Sequence, residues 1–183
     1  MGAVRWLQAL GALALFVWAA FGAFMVAFVL THGAEGGRRV KISERGIAHI
    51  KHFEGCVLTT YRCPANRCTI GYGHTGDDVR PHMTITHQRA EELLMRDLVA
   101  AETAVADLVK VPLRQGQHDA LVDLIFNVGR DAIANSTLLK LLNQKEYGKA
   151  GEQLMRWVHA GSQVVAGLQR RRLAASNLWF ERA

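Results

Sequence analysis

Several things are scarce in this chain of 183 residues, and each scarcity excludes a class of protein. Proline occurs only 3 times while half of the residues are hydrophobic, so neither a collagenous nor a disordered polymer fits. Cysteine also occurs 3 times, which allows one disulfide and leaves one thiol over. Long apolar runs are confined to one place, Trp6 to Leu30. No later stretch reaches the roughly 18 uncharged apolar residues that a second span needs, which excludes a polytopic membrane protein. The net charge of +6 comes without a long Lys/Arg run, a zinc-finger spacing or a recognition-helix signature, so nucleic acid is not an expected partner.

The single apolar run is 25 residues long, carries no charge and has only Gln8 as a strongly polar residue. As a helix it would measure about 37 Å, against a hydrocarbon core of about 30 Å, so it is long enough to span a bilayer. It exceeds the roughly 7 to 15 apolar residues of a cleavable export signal, although small residues at Ala20 and Gly22 leave cleavage open. Nine of its residues are Ala or Gly, and its twelve Leu, Val and Phe residues supply only about −4 to −7 kcal/mol of insertion energy. An ordinary anchor with a small-residue packing face is the plainer reading of the same composition. Arg5 and the terminal amine flank one end, and Arg38, Arg39 and Lys41 the other; the charge count alone would put the following domain in the cytoplasm.

Gly33 to Gly37 reads as a linker, which sets the expected boundary between an anchor, residues 1–36, and a domain, residues 37–183. Removing Arg5 and Glu35 with the first segment leaves 21 basic and 15 acidic residues, so the domain keeps the whole charge of +6. An anionic cell wall or membrane surface fits such a domain; a solvated basic face without a specific partner is the plain alternative.

Within the domain the periodicity is mainly helical. Thr86 caps an expected helix with Leu94, Leu98, Ala101, Val105 and Leu108 along one stripe, ended by Pro112. A second runs from Gln117 to Val128 with Gly129 as its stop, a third is marked by Tyr147, Ala150, Leu154, Trp157 and Val158, and a fourth runs from Leu168 to Trp179. Between Glu54 and Gly76 this pattern gives way to Gly, Thr and Tyr with a turn signal at Pro64-Ala65-Asn66, which predicts a short helix, Ser43 to Phe53, leading into a β-hairpin. Glu54 then ends a helix facing the hairpin. A carboxyl sheltered in such a cleft suits general acid catalysis of glycosidic cleavage.

Glu54, Cys63 and Thr69 stand in the order Glu, eight residues, Asp or Cys, five residues, Thr, followed by Thr69-Ile70-Gly71-Tyr72-Gly73-His74-Thr75-Gly76. With Phe126-Asn127-Val128-Gly129, Arg156-Trp157-Val158 and the pair Arg171-Arg172, the chain from about Ile42 to Trp179 resembles the phage-type lysozymes of glycoside hydrolase family 24. Ala175 departs from it, since many members carry Glu after the arginine pair.

The resemblance implies an α+β lysozyme-like domain, mainly helical with a small β-hairpin lobe, preceded by one N-terminal transmembrane helix. It implies Glu54 as proton donor, Thr69 positioning the attacking water, and Cys63 at the position more often held by Asp. From the residues alone, three roles stay open for Cys63: assisting the water, attacking the sugar, or shaping the site. Tyr72, His74 and Asn127 are cleft candidates; Tyr72 can stack on a sugar or pack, His74 can hold the cleft or touch substrate, and Asn127 can satisfy backbone groups near a helix end.

Joined to the Ala/Gly-rich span, the domain resembles signal-anchor-release endolysins. That implies export by the host secretion machinery, tethering to the host inner membrane facing the periplasm, and release as a monomer onto peptidoglycan. No cofactor or metal is expected. The periplasm is oxidising, so Cys56, Cys63 and Cys68 are candidates for a regulatory disulfide, with Cys63 bridged in the tethered form and Cys56–Cys68 as the pairing of the active one. A permanently anchored bacterial or prophage muramidase is the nearest alternative; a non-catalytic wall-binding protein is the other.

Overall fold

The computed structural model describes residues 40–63 and 66–181. Residues 40–183 form one compact unit. The expected span and linker, residues 1–36, lie outside the described residues. Among the described residues, no helix is long and apolar enough to cross a membrane.

Helix α1 runs Glu44–Glu54. It starts where expected because the Ser43 hydroxyl accepts from the Gly46 amide at 3.1 Å, while Ser43 itself is tied to Asp119 through both its amide and its hydroxyl. Gly55, at φ 66°, turns the chain out of the helix into strand β1, Val57–Arg62. This pairs antiparallel with β2, Cys68–Gly71, with Tyr61 opposite Thr69 and Arg62 opposite Cys68.

Helix α2, His87–Leu108, is capped by Thr86, whose hydroxyl accepts from the Arg89 amide. Its length joins two apolar clusters. Leu93 packs with Ile70 and Val79 beneath the hairpin, whereas Leu94, Leu98, Ala101 and Val105 enter the main helical core. At the centre of that core lies α3, Gln115–Val128, with Gln117 to Ile125 all buried. Two short helices follow, α4 at Arg130–Ala134 and α5 at Thr137–Asn143, the latter capped by Ser136.

The expected third helix is divided. Helix α6 covers only Tyr147–Glu152, after which the backbone tightens into a 3-10 turn at Gln153–Arg156. A Cβ on Gly151 would lie 2.5 Å from the ring of buried Trp179, so glycine admits that ring against α6. A second small hairpin, β3 at His159–Ala160 and β4 at Gln163–Val164, turns through Gly161 at φ 61°. Helix α7, Ala166–Phe180, then packs along α3, so closely that a Cβ on Gly116 would meet the Leu178 carbonyl oxygen at 2.1 Å.

The β1–β2 register places the three cysteines along the hairpin. Among the described residues the structure contains no disulfide. Cys56 precedes Val57, which pairs with Gly71, so it lies at the opposite end of the hairpin from Cys68. At about 3.3 Å per residue, the three residues from Cys68 to Gly71 already span roughly 10 Å, beyond the Cα separation a disulfide tolerates of about 7 Å. Cys56 and Cys63 are further apart, at the two ends of one strand. Cys63 and Cys68 are near each other, yet Cys68 pairs with Arg62 while the Cys63 amide donates to the Arg67 carbonyl at 3.0 Å. The pleat therefore points these two side chains to opposite faces.

Candidate active site

Glu54 is the last residue of α1, and its carboxylate is divided between two surroundings. Oε1 accepts from Arg171 Nη1 at 2.6 Å. Oε2 faces Gly73, where a Cβ would stand 3.5 Å from it. Gly73 has φ 86°, a conformation that glycine adopts without strain, and it brings bare backbone up to the carboxylate. Together with Thr75, Asp97, Phe126 and Asn127, these two residues line a cavity of about 270 Å³.

Behind Glu54 is a buried ionic network. Arg171 and Arg172, adjacent on α7, both reach Asp123 on α3: Arg171 Nε donates to Oδ1 and Arg172 Nη1 to Oδ2, each at 2.8 Å. Arg172 also donates to Asn127 Oδ1, fixing the amide that lines the cavity. His49 Nε2 lies 3.5 Å from Asp123 Oδ2. Burial alone would raise the Asp123 carboxyl; the neighbouring His49 and the charge of Arg171 outweigh it and hold Asp123 below the usual carboxylate range. Asp123, Arg171 and Arg172 are thus buried together, while Glu54, at the edge of the network, keeps 21% exposure.

The hairpin supplies a neighbouring face. Strand alternation puts Tyr61 and Cys63 on one side of β1, with Thr69 opposite Tyr61 and diagonal to Cys63. Burial raises the Tyr61 phenol, and the neighbouring Cys63 and then Glu54 raise it further, so this face lies within electrostatic reach of the α1 carboxylate. The buried Thr69 hydroxyl donates to the Arg67 carbonyl at 3.2 Å, which leaves its lone pairs as acceptors.

The other candidates separate. His74 is buried with both ring nitrogens engaged, Nδ1 with Asp97 at 2.7 Å and Nε2 with Asp78 at 3.1 Å, so it holds the cavity wall at Asp97. Hydrogen bonds from His74 and then Arg96 lower the Asp78 carboxyl to about 2. Asn127 lines the cavity, whereas Tyr72 packs against the core beneath Lys51, whose Nζ is 5.7 Å from its ring centre. Asp123, Asp97 and Tyr61 carried no expected role. The adjacent arginines on α7 were a signal for charge at that helix but not for its partners.

A family model described as phage lysozyme matches residues 51–175. The chain belongs to the phage lysozyme family. The endolysin of Salmonella phage P22 is 44% identical over 137 residues, spanning 73% of this chain and 94% of that relative. The SAR-endolysin of Escherichia phage Mu is 35% identical over 157 residues, spanning 86% and 89%. Among solved structures, the muramidase domain of SpmX from Asticaccaulis excentricus superposes with a TM-score of 0.73 at 36% identity, covering 78% of this chain and 99% of that one. A P22 lysozyme variant gives 0.70 at 40% identity, covering 77% and 99%. The fold is accordingly the lysozyme-like α+β one, mainly helical with small sheets.

Proposed function

We propose that this chain is a phage endolysin hydrolysing the β-1,4 bond between N-acetylmuramic acid and N-acetylglucosamine of peptidoglycan. One observation carries the mechanism: Glu54 presents Oε2 to the cavity while Oε1 is pinned by Arg171. A carboxyl so oriented delivers its proton from one defined oxygen to the leaving glycosidic oxygen. Asp123 on the same guanidinium offsets part of the Arg171 charge. Thr69 accepts a hydrogen bond from the attacking water, and Cys63 on the same hairpin face borders that water. His74 and Asn127 position the walls, and Tyr72 packs.

Glu54→Gln keeps the shape of the side chain and removes the acid. It is expected to retain the far-UV circular dichroism spectrum and to abolish turbidity loss of outer-membrane-permeabilised Gram-negative cells. Clearing at the wild-type rate would refute the assignment of Glu54.

The similarity to SAR-endolysins and the Ala/Gly-rich run from Trp6 to Leu30 support a location to match. Residues 1–36 serve as a signal anchor that host secretion machinery inserts into the inner membrane, and residues 37–183 face the periplasm and are later released there as a monomer. A wall hydrolase must face the wall, which overrides the ambiguous flanking charges.

A further inference from the structure

Two acidic residues line the cavity beside Gly73, Glu54 and Asp97, and the reading above employs only the first. Asp97 belongs to α2, and its Oδ2 lies 2.7 Å from Nδ1 of His74. A carboxylate only accepts, so the ring proton sits on Nδ1. The far ring nitrogen, Nε2, stands between Arg96 Nη2 at 2.9 Å and Asp78 Oδ1 at 3.1 Å. A neutral ring accepts there from Arg96 and a charged ring donates to Asp78; both leave the proton on Nδ1 in place. His74 is buried, whereas the Asp97 side chain keeps 28% exposure, and among the described residues nothing donates to its Oδ1. One oxygen of Asp97 is thus tied to a buried ring and the other is open to a ligand. Asn127, on α3, brings the opposite polarity to the same cavity. Its Oδ1 accepts from Arg172, so Nδ2 is the end left over, and no described residue accepts from it. Phe126 adds an apolar wall.

We infer that Asp97 contacts the substrate: it accepts a hydrogen bond from the N–H of a sugar 2-acetamido group whose carbonyl oxygen accepts from Asn127 Nδ2. The inference rests on the peptidoglycan reading above and adds which substituent is read beside the scissile bond and by which residue. The N–H and C=O of a trans amide point in opposite directions, so they call for an acceptor and a donor on different walls. Helix α2 supplies the acceptor and α3 the donor. A space of about 270 Å³ takes the whole group, and Phe126 meets its methyl. A hydroxyl carries both functions on one atom and offers nothing to Phe126. His74 acts only through Asp97, as a positioning residue that keeps Oδ1 for the ligand.

The test uses the full-length chain, release of reducing ends from sacculi, and a pair of inhibitors: triacetylchitotriose and the same trisaccharide with every amide nitrogen methylated. Methylation removes the N–H and keeps the carbonyl. Wild type should bind the unmethylated trisaccharide at least about tenfold more tightly, the usual worth of a hydrogen bond to a charged group. In Asp97→Asn the single amide oxygen is claimed by His74, and the amide nitrogen faces the cavity instead. That variant should bind the two trisaccharides within about twofold of each other, through loss on the unmethylated one. In wild type, the ring N–H resonance of His74 should shift with the unmethylated trisaccharide and stay in place with the methylated one, a readout that needs no variant to fold. A role for Asp97 in stability alone would leave the preference intact. Equal binding of both by wild type, binding of neither, a preference that survives in folded Asp97→Asn, or a His74 signal that ignores the trisaccharide would each overturn the contact. Sacculi that wild type leaves uncut would instead overturn the peptidoglycan reading itself.

Discussion

Asp123 has no exposed surface and carries a charge, a combination that survives only with full compensation. Removing that charge leaves two arginines and His49 facing a neutral amide. Asp123→Asn is therefore expected to cost about 3 to 5 kcal/mol in urea unfolding, the penalty of a broken buried pair. The sign of its pH dependence follows from the lowered native value. Asp123 contributes fully above the unfolded carboxylate pKa of about 3.9, and the contribution is lost as pH falls through the lower folded value. The melting temperature of wild type should drop on acidification below that point, and the drop should be smaller in Asp123→Asn. Cys63 is the opposite case, a thiol of reference pKa about 8.5 where the family more often has an acid of about 3.9. Cys63→Asp should retain activity in the turbidity assay; a folded but inactive variant would show that the thiol has a chemistry that Asp cannot supply.

The helices owe their starting points to single residues, and this is where the sequence was most legible. Thr86→Ala should cost α2 about 1 kcal/mol, or about 3 °C in melting temperature by calorimetry, because the Arg89 amide loses its acceptor. Ser43, Thr86 and Gly129 mark boundaries that the structure keeps, since caps and stripes act within a few residues. The division of the third helix was not legible, because the apolar stripe runs on past Gln153 with no stop signal where the helix tightens. The β3–β4 hairpin had a signal in Gly161-Ser162, but strands of two residues show no alternation. Cysteine spacing suggested proximity for Cys63 and Cys68, yet register decides which face each side chain takes. At the site, Glu54, Cys63 and Thr69 stood out by their spacing within one hairpin. The Arg171 contacts with Asp123 and Glu54 bridge 48 and 117 residues and leave no local pattern to read.

For the whole molecule, the balance that decides where the enzyme works lies in the proposed anchor. Moving the terminal amine and Arg5 outward against a potential of 100 mV costs about 4 to 5 kcal/mol, comparable with the hydrophobic hold of about 4 to 7 kcal/mol. Dissipating the potential should shift wild type from the membrane to the soluble periplasmic fraction. Replacing Ala12, Ala19, Ala20 and Ala23 by Leu should keep it in the membrane pellet after an uncoupler, as read by fractionation. A further consequence lies in the order of synthesis. The arginine that pins Glu54 is encoded 117 codons after it. At about 5 to 20 residues per second, a ribosome needs roughly 6 to 23 s to travel that distance. Throughout that interval a nascent chain holds a carboxylate with no orienting partner, and α7 is not yet there to pack on α3. The catalyst is therefore completed by the late part of its own translation, and a chain interrupted before Arg171 would leave the wall intact.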